Sequence, residues 1–203
     1  MPDPLRLAAE APEIVTLDSS RSLFRVYFKA GEHPTSWSQL RTFGPISRFD
    51  HQKRNASGDA QQQERGVLYA ATSIPTALAE TFQRRRRIDR TRRQPWLAAF
   101  RVVRPIRLLD LPGLFCVRAC ASAKLITGPF RHAQNWSAGF YDAYPSLDGL
   151  YYRSSLTNDP TVVLYERAAS AMPQTARFNR ALVDASWHGA LVIAAQQIGY
   201  EVV

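Results

Sequence analysis

The stretch GVLYAATSIPTALAE, residues 66–80, decides how this chain is read. Residues 66–71 (GVLYAA) form a short apolar run that opens on glycine and read as a strand. Pro75 suits the first turn of a helix, where its missing N–H costs nothing, and Thr72 or Ser73 can cap the free amides there. Leu78 and Phe82, four apart, give that helix one buried face. Tyr69 stands eleven residues before Glu80 across this strand–helix unit.

Upstream, Leu23–Phe28 (LFRVYF) is rich in aromatic and β-branched residues and predicts a strand. Residues 50–65 (DHQKRNASGDAQQQER) are polar and without periodicity, which predicts a surface insertion. Downstream, residues 96–103, 106–109, 150–154 and 161–165 read as strands, with a short final strand at the end of the chain. Residues 115–126, Phe130–Ala143 and 187–197 read as helices. Strands and helices come in irregular order with no steady βαβ alternation, so the fold class expected is α+β rather than a doubly wound parallel sheet.

The 203 residues are enough for one domain with a real core, and 45% hydrophobic with 21% charged residues is ordinary for a globular protein. The expectation is a single domain over residues 1–203. The net charge of +9 is concentrated: residues 84–93 hold seven arginines and one acid, Asp89, for a local +6. Cys116 and Cys120 make no C-x-x-C pair, residues 1–15 hold no apolar core of signal-peptide length, and the longest apolar run, residues 190–195, is far below the ~20 residues of a membrane span. A soluble, cytoplasmic protein without membrane contact is expected.

Several chemistries are missing. The sequence holds no G-x-x-x-x-G-K-[ST], no strand leading into G-x-G-x-x-G and no G-x-S-x-G elbow. Its four histidines are scattered without H-E-x-x-H or Cys/His pairing, so no metal is expected. The candidates left are Arg, Tyr, Glu and Ser. Taken singly, each has a plain alternative. Glu80 stands four residues before Arg84, the spacing of an ordinary helix ion pair. Arg25 can sit on the solvent face of its strand, Tyr69 in the core, and Ser154 or its neighbour Ser155 at a strand end.

Four segments taken together change that balance: FRVY at residues 24–27, SRF at 47–49, YAA at 69–71 followed by TALAE at 76–80, and GLYYRS at 149–154. In this order they resemble the RES domain family, named for its arginine, glutamate and serine, over a motif-bearing core of about residues 23–166. Two positions depart from the family pattern: Ile46-Ser47 precede Arg48 where a glycine is common, and Arg153 stands where a proline is common. The resemblance implies an ADP-ribosyltransferase-like arrangement of mixed sheets with flanking helices. It implies NAD as substrate and a toxin of a toxin–antitoxin pair that cleaves the nicotinamide–ribose bond by hydrolysis or phosphorolysis, with a helix-turn-helix antitoxin as partner. It places Arg25, Arg48, Tyr69, Glu80 and Ser154 on the family's site positions.

Those residue types suit that chemistry. Loss of nicotinamide leaves an oxocarbenium-like ribose, which a carboxylate such as Glu80 stabilises. A tyrosine ring such as Tyr69 can stack on the nicotinamide, arginines such as Arg25 and Arg48 can grip the pyrophosphate, and Ser154 can orient the ribose or amide. One alternative within the enzymes is a protein ADP-ribosyltransferase using NAD. A further alternative is a non-enzymatic nucleic-acid-binding or interaction module built on the arginine run. Direct nucleic-acid binding is not expected, because no aromatic residue interleaves the run and no helix-turn-helix pattern accompanies it. The run also suits docking of an acidic partner, and the pattern leaves an oligomer open.

Overall fold

The computed structural model describes residues 4–121 and 124–203. Among these the chain forms α1 (Pro4–Ala9), β1 (Ile14–Leu17), β2 (Leu23–Phe28), β3 (Arg41–Gly44), β4 (Gln61–Ala71), α2 (Ile74–Phe82), β5 (Arg87–Ile88), β6 (Pro95–Phe100) and β7 (Ile106–Asp110). There follow α3 (Phe115–Arg118), α4 (Lys124–Thr127), α5 (Phe130–Ala143), β8 (Gly149–Arg153), β9 (Pro160–Tyr165), β10 (Phe178–Ala181), α6 (His188–Gln197) and β11 (Glu201–Val202).

One large sheet runs β1-β7-β8-β9-β4-β2-β6-β10, with β3 added beside β4. Its pairs are antiparallel except β7 with β8, so the sheet is mixed, as expected for an α+β chain. β4 is the long central strand. One edge is laddered to β9 from Val67↔Tyr165 to Ala71↔Thr161. The other edge is shared: β3 takes the first half as far as Val67, and β2 touches only through Phe24↔Ala71. The sheet therefore splits alongside Tyr69, and the gap becomes a cleft.

Alternation along β4 feeds two cores, because successive side chains of a strand point to opposite faces. Val67 and Tyr69 pack on the side that holds α5 with Phe115, Trp136 and Phe140, whereas Leu68 and Ala70 pack with Phe100, Leu108 and Leu164. A third cluster joins α2 to α6 through Leu78, Leu97, Leu191 and Ala195. Gly149 is required where β8 meets β9: a Cβ there would lie 1.9 Å from the Val163 carbonyl oxygen.

Leu23–Phe28, the strand ending at Ala71, the Pro75 helix and Phe130–Ala143 form as the sequence predicts, and Ser73 is the cap, accepting from the Thr76 amide. Several expectations are corrected. Residues 50–65 are not a surface insertion throughout: Asp50, His51 and Gln52 are buried, and residues 61–65 extend β4. That half-strand is held by side-chain amides rather than apolar contacts, as when Gln63 donates to the Lys53 carbonyl, so it carries no hydrophobic period. Residues 115–126 do not make one helix. α3 stops at Arg118, Cys120 takes a left-handed conformation (φ 58°), and α4 begins at Lys124. Residues 122–123 of the expected helix lie outside the described residues. Within the arginine run, Arg87–Ile88 forms β5 and pairs with β11 around a fully buried Ile88.

Candidate active site

Four strands place the floor of the cleft. Phe24 pairs with Ala71, Ala71 with Thr161, and Thr161 with Tyr152, so these side chains form one cross-strand row from β2 to β8. Tyr69 follows two residues along β4 on the same face. The cleft holds about 310 Å³, and Arg25, Arg48, Tyr69, Glu80, Tyr152 and Phe130 all line it.

Glu80 reaches it from the last turn of α2. Among the described residues it makes no ion pair with Arg84. Its Oε1 instead accepts the Ser154 hydroxyl at 2.6 Å. Ser154 is 3% exposed, and its Oγ also accepts from the Leu156 and Thr157 amides at 3.1 and 3.3 Å. Ser154 therefore stands behind the carboxylate and holds it. The exposed Ser155 lines the cleft in its stead. Ser154, expected to orient a ligand itself, directs its one proton at Glu80. Arg153 lies outside the cleft lining, exposed, with Nη1 donating to the Asn158 carbonyl at 3.0 Å.

The turn that carries Ser154 is clamped to the start of α2. Ser73 and Thr76 donate to Asp159 Oδ2 at 2.8 and 2.9 Å, and the Thr76 and Thr157 hydroxyls are 2.8 Å apart. Thr76 and Glu80 are four apart, so one face of α2 meets that turn twice.

Tyr69 offers its ring and not its hydroxyl. The hydroxyl donates to Asp50 Oδ1 at 2.9 Å and accepts from the Phe49 amide at 3.0 Å. Burial, and next the Asp50 charge, push its ionisation well above the ordinary tyrosine range. Tyr152 is 7% exposed, packs against Phe49 with ring centroids 4.7 Å apart, and is likewise pushed well up by burial and then by Glu80.

Both expected arginines border the cleft. Arg25 Nη1 donates to the Trp37 and Gln39 carbonyls, each at 2.9 Å, which leaves Nη2 and Nε for a ligand. Burial, and secondarily the Arg41 charge, pull its pKa down to about 10, so it stays cationic at neutral pH. Arg48 Nη1 donates to the Gly128 carbonyl at 2.7 Å, and its guanidinium lies 4.6 Å from the Phe130 ring centroid. The structure thus brings Arg25, Arg48, Tyr69 and Glu80 onto one cleft, with Ser154 one hydrogen bond behind. Sequence reading missed Asp50, Tyr152 and Phe130. For Tyr152 the period-2 alternation with Ser154 was a usable signal; for Asp50 there was none.

A large mixed sheet split around a cleft, with helices packed on its faces, makes this an α+β protein with the carboxylate, tyrosines and arginines of one site gathered at the split. The RES domain family model matches residues 22–188, and the chain belongs to that family. Among solved structures it is similar to a chain of the M. tuberculosis MbcT–MbcA toxin–antitoxin complex, with 14% identity and a TM-score of 0.58 over 92% of this chain and 94% of that one. That likeness is one of fold. No curated protein matches. No metal-binding group of His, Cys, Asp or Glu occurs among the described residues, and no described helix is long and apolar enough to cross a membrane.

Proposed function

We propose that the chain is a toxin-type enzyme that binds NAD in this cleft and cleaves its nicotinamide–ribose bond, passing ADP-ribose to water or phosphate. The observation that carries the reading is the Glu80 carboxylate, held by Ser154 at 2.6 Å on a cleft it shares with Tyr69, Arg25 and Arg48. Membership of the RES family supports NAD as the substrate.

In this reading Glu80 faces the ribose as it becomes cationic, a stabilisation that grows toward the transition state. The Ser154 hydroxyl fixes the carboxylate's orientation, so no reorganisation is needed when charge develops. The Tyr69 ring stacks on the departing nicotinamide, and Ser155 takes the orienting place on the lining. Nη2 and Nε of Arg25, with the free edge of Arg48, take the pyrophosphate. The whole chain acts as one unit.

The deciding experiment is nicotinamide release from NAD by purified protein, with and without phosphate, beside Glu80→Gln. The variant keeps the shape and removes the charge, and kcat is expected to fall by about 10²–10³. Equal rates would remove Glu80 from the mechanism. Labelled NAD in lysate separates transfer to protein, which leaves a labelled band, from release to water or phosphate. A protein partner belongs to the same proposal. The similar fold comes from a toxin–antitoxin complex, and four exposed arginines of the run that follows Gln83 (Arg84, Arg85, Arg86 and Arg92) make no ion pair among the described residues. An acidic face of a helix-turn-helix antitoxin would suit them.

A further inference from the structure

We propose that Asp50 is a positioning residue that sets Arg48 and Tyr69 against each other across the cleft, an inference that rests on the reading of this cleft as the substrate site. Its side chain is fully buried, in a stretch whose sequence looks like a polar loop. Each carboxylate oxygen has separate work. Oδ1 accepts from the Tyr69 hydroxyl at 2.9 Å. Oδ2 accepts from the Ile46 and Ser47 amides at 2.6 and 2.8 Å, the backbone that leads into Arg48. Arg41 Nη2 lies 2.7 Å from both oxygens and supplies the countercharge. The Phe49 amide closes the ring by donating to the Tyr69 hydroxyl. Residues on either side of Arg48 are thus tied, through one carboxylate, to the tyrosine on the central strand.

A buried ion pair alone gives a weak reason for such an arrangement, because apolar residues of the same volume often serve stability as well or better. Apolar residues cannot accept two backbone amides and a tyrosine hydroxyl at once. Only an ionised carboxylate offers acceptors on both sides; an amide must turn its NH₂ toward one of them. Asparagine at this position therefore turns a donor toward Arg41 whichever way it is flipped, together with Ile46 and Ser47 in one orientation or Tyr69 in the other. The charge matters as well. Arg41 already presses on Arg25, and Asp50 gives Arg41 the countercharge that limits this repulsion.

The test is Asp50→Asn, alone and combined with Arg48→Ala, read as KM and kcat for nicotinamide release from NAD. Asp50→Asn is expected to raise KM about tenfold, one buried donor left without its acceptor. If Asp50 acts through Arg48, the same change in the Arg48→Ala background raises KM by less than about twofold, since coupled residues are not additive. An equal rise in both backgrounds, or an unchanged KM, overturns the proposal. Should Asp50→Asn fail to fold, Tyr69→Phe cuts the same link at its other end and must show the same dependence on Arg48. A readout without NAD separates this inference from the function it rests on: in the parent protein the Ile46 and Ser47 amides are expected to be protected from exchange and the Arg48 Nε–Hε resonance to be sharp. Asp50→Asn must lose both while the amides of α5 stay protected. If the parent releases no nicotinamide but these signals behave as stated, the function fails and the positioning role stands; if they do not change, the positioning role fails.

Discussion

A serine that has given its proton to a carboxylate has none left for a ligand, and this divides the work between Ser154 and Ser155. Ser154 binds Glu80 and also accepts two amides of its own turn, so Ser154→Ala frees the carboxylate and leaves the Leu156 and Thr157 N–H groups without their acceptor. The expected cost is about 1–3 kcal/mol of stability for the unpaired groups, and a fall of about tenfold or more in kcat as Glu80 loses its fixed orientation. Ser155→Ala removes a hydroxyl from the lining only, so KM should rise with kcat and thermal midpoint near the parent values. Steady-state kinetics with a melting curve for each variant distinguishes the two; a larger kcat effect at Ser155 would reverse the assignment.

Between elements, polar clamps do what apolar packing does elsewhere. The start of β9's following turn is fastened to β4 and α5 by Glu166, which accepts from the Gly66 amide at 3.0 Å, from His51 Nε2 at 3.1 Å and from the Tyr141 hydroxyl. Burial acts to raise the Glu166 pKa, but the His51 and Tyr141 hydrogen bonds outweigh it and hold the group at about 2. Burial pulls His51 below its ordinary value, so at neutral pH it is uncharged and donates from Nε2. Both signs agree. Glu166 contributes stability above its ordinary 4.5 that is lost as pH falls toward 2, and His51 adds a loss that begins below its ordinary 6.5. For Glu166, partly exposed and so screened by solvent, the contribution is on the order of 1–2 kcal/mol. Urea unfolding at a series of pH values should show stability falling between pH 6.5 and 2, with a shallower fall for Glu166→Gln; parallel curves would sink the assignment. The same clamps explain what could be read from the amino acids alone. Leu23–Phe28 and residues 66–71 are apolar on a strand period, and Ser73 with Pro75 announces α2, so the frame around Tyr69 and Glu80 was legible. Residues 61–65 and Asp50 were not, because a strand held by glutamine amides and a turn held by one carboxylate look like loop until their partners, up to 20 residues away, are in place. The split between β2 and β3 along β4 is a matter of register between distant strands, and no local pattern carries it.

At the scale of the whole molecule, charge is unevenly spread, and the unevenness has a position. Of the net +9, residues 84–93 hold +6. Asp89, the one acid among them, turns its Oδ1 to the Thr91 and Arg92 amides and makes no ion pair among the described residues. All of Arg84, Arg85, Arg86, Arg87, Arg92 and Arg93 are exposed; Arg87 pairs with Glu201 and Arg93 lies 4.4 Å from the Phe28 ring centroid, whereas Arg84, Arg85, Arg86 and Arg92 make no ion pair among the described residues. The patch begins where the cleft lining ends, since Gln83 lines the cleft and Arg84 follows it. At physiological salt the Debye length is about 8 Å, so exposed arginines that do not line the cleft act more on a macromolecule lying against them than on a small ligand inside it. Changing all four to glutamine should therefore alter kcat/KM for NAD by less than about threefold, while retention on a polyanionic heparin column shifts to clearly lower salt. Filter binding to duplex DNA across the same salt range identifies the kind of partner. Affinity that survives Glu80→Gln and collapses with the four arginines would favour nucleic acid over an acidic protein, and collapse of nicotinamide release with the arginines would place the patch inside the substrate site.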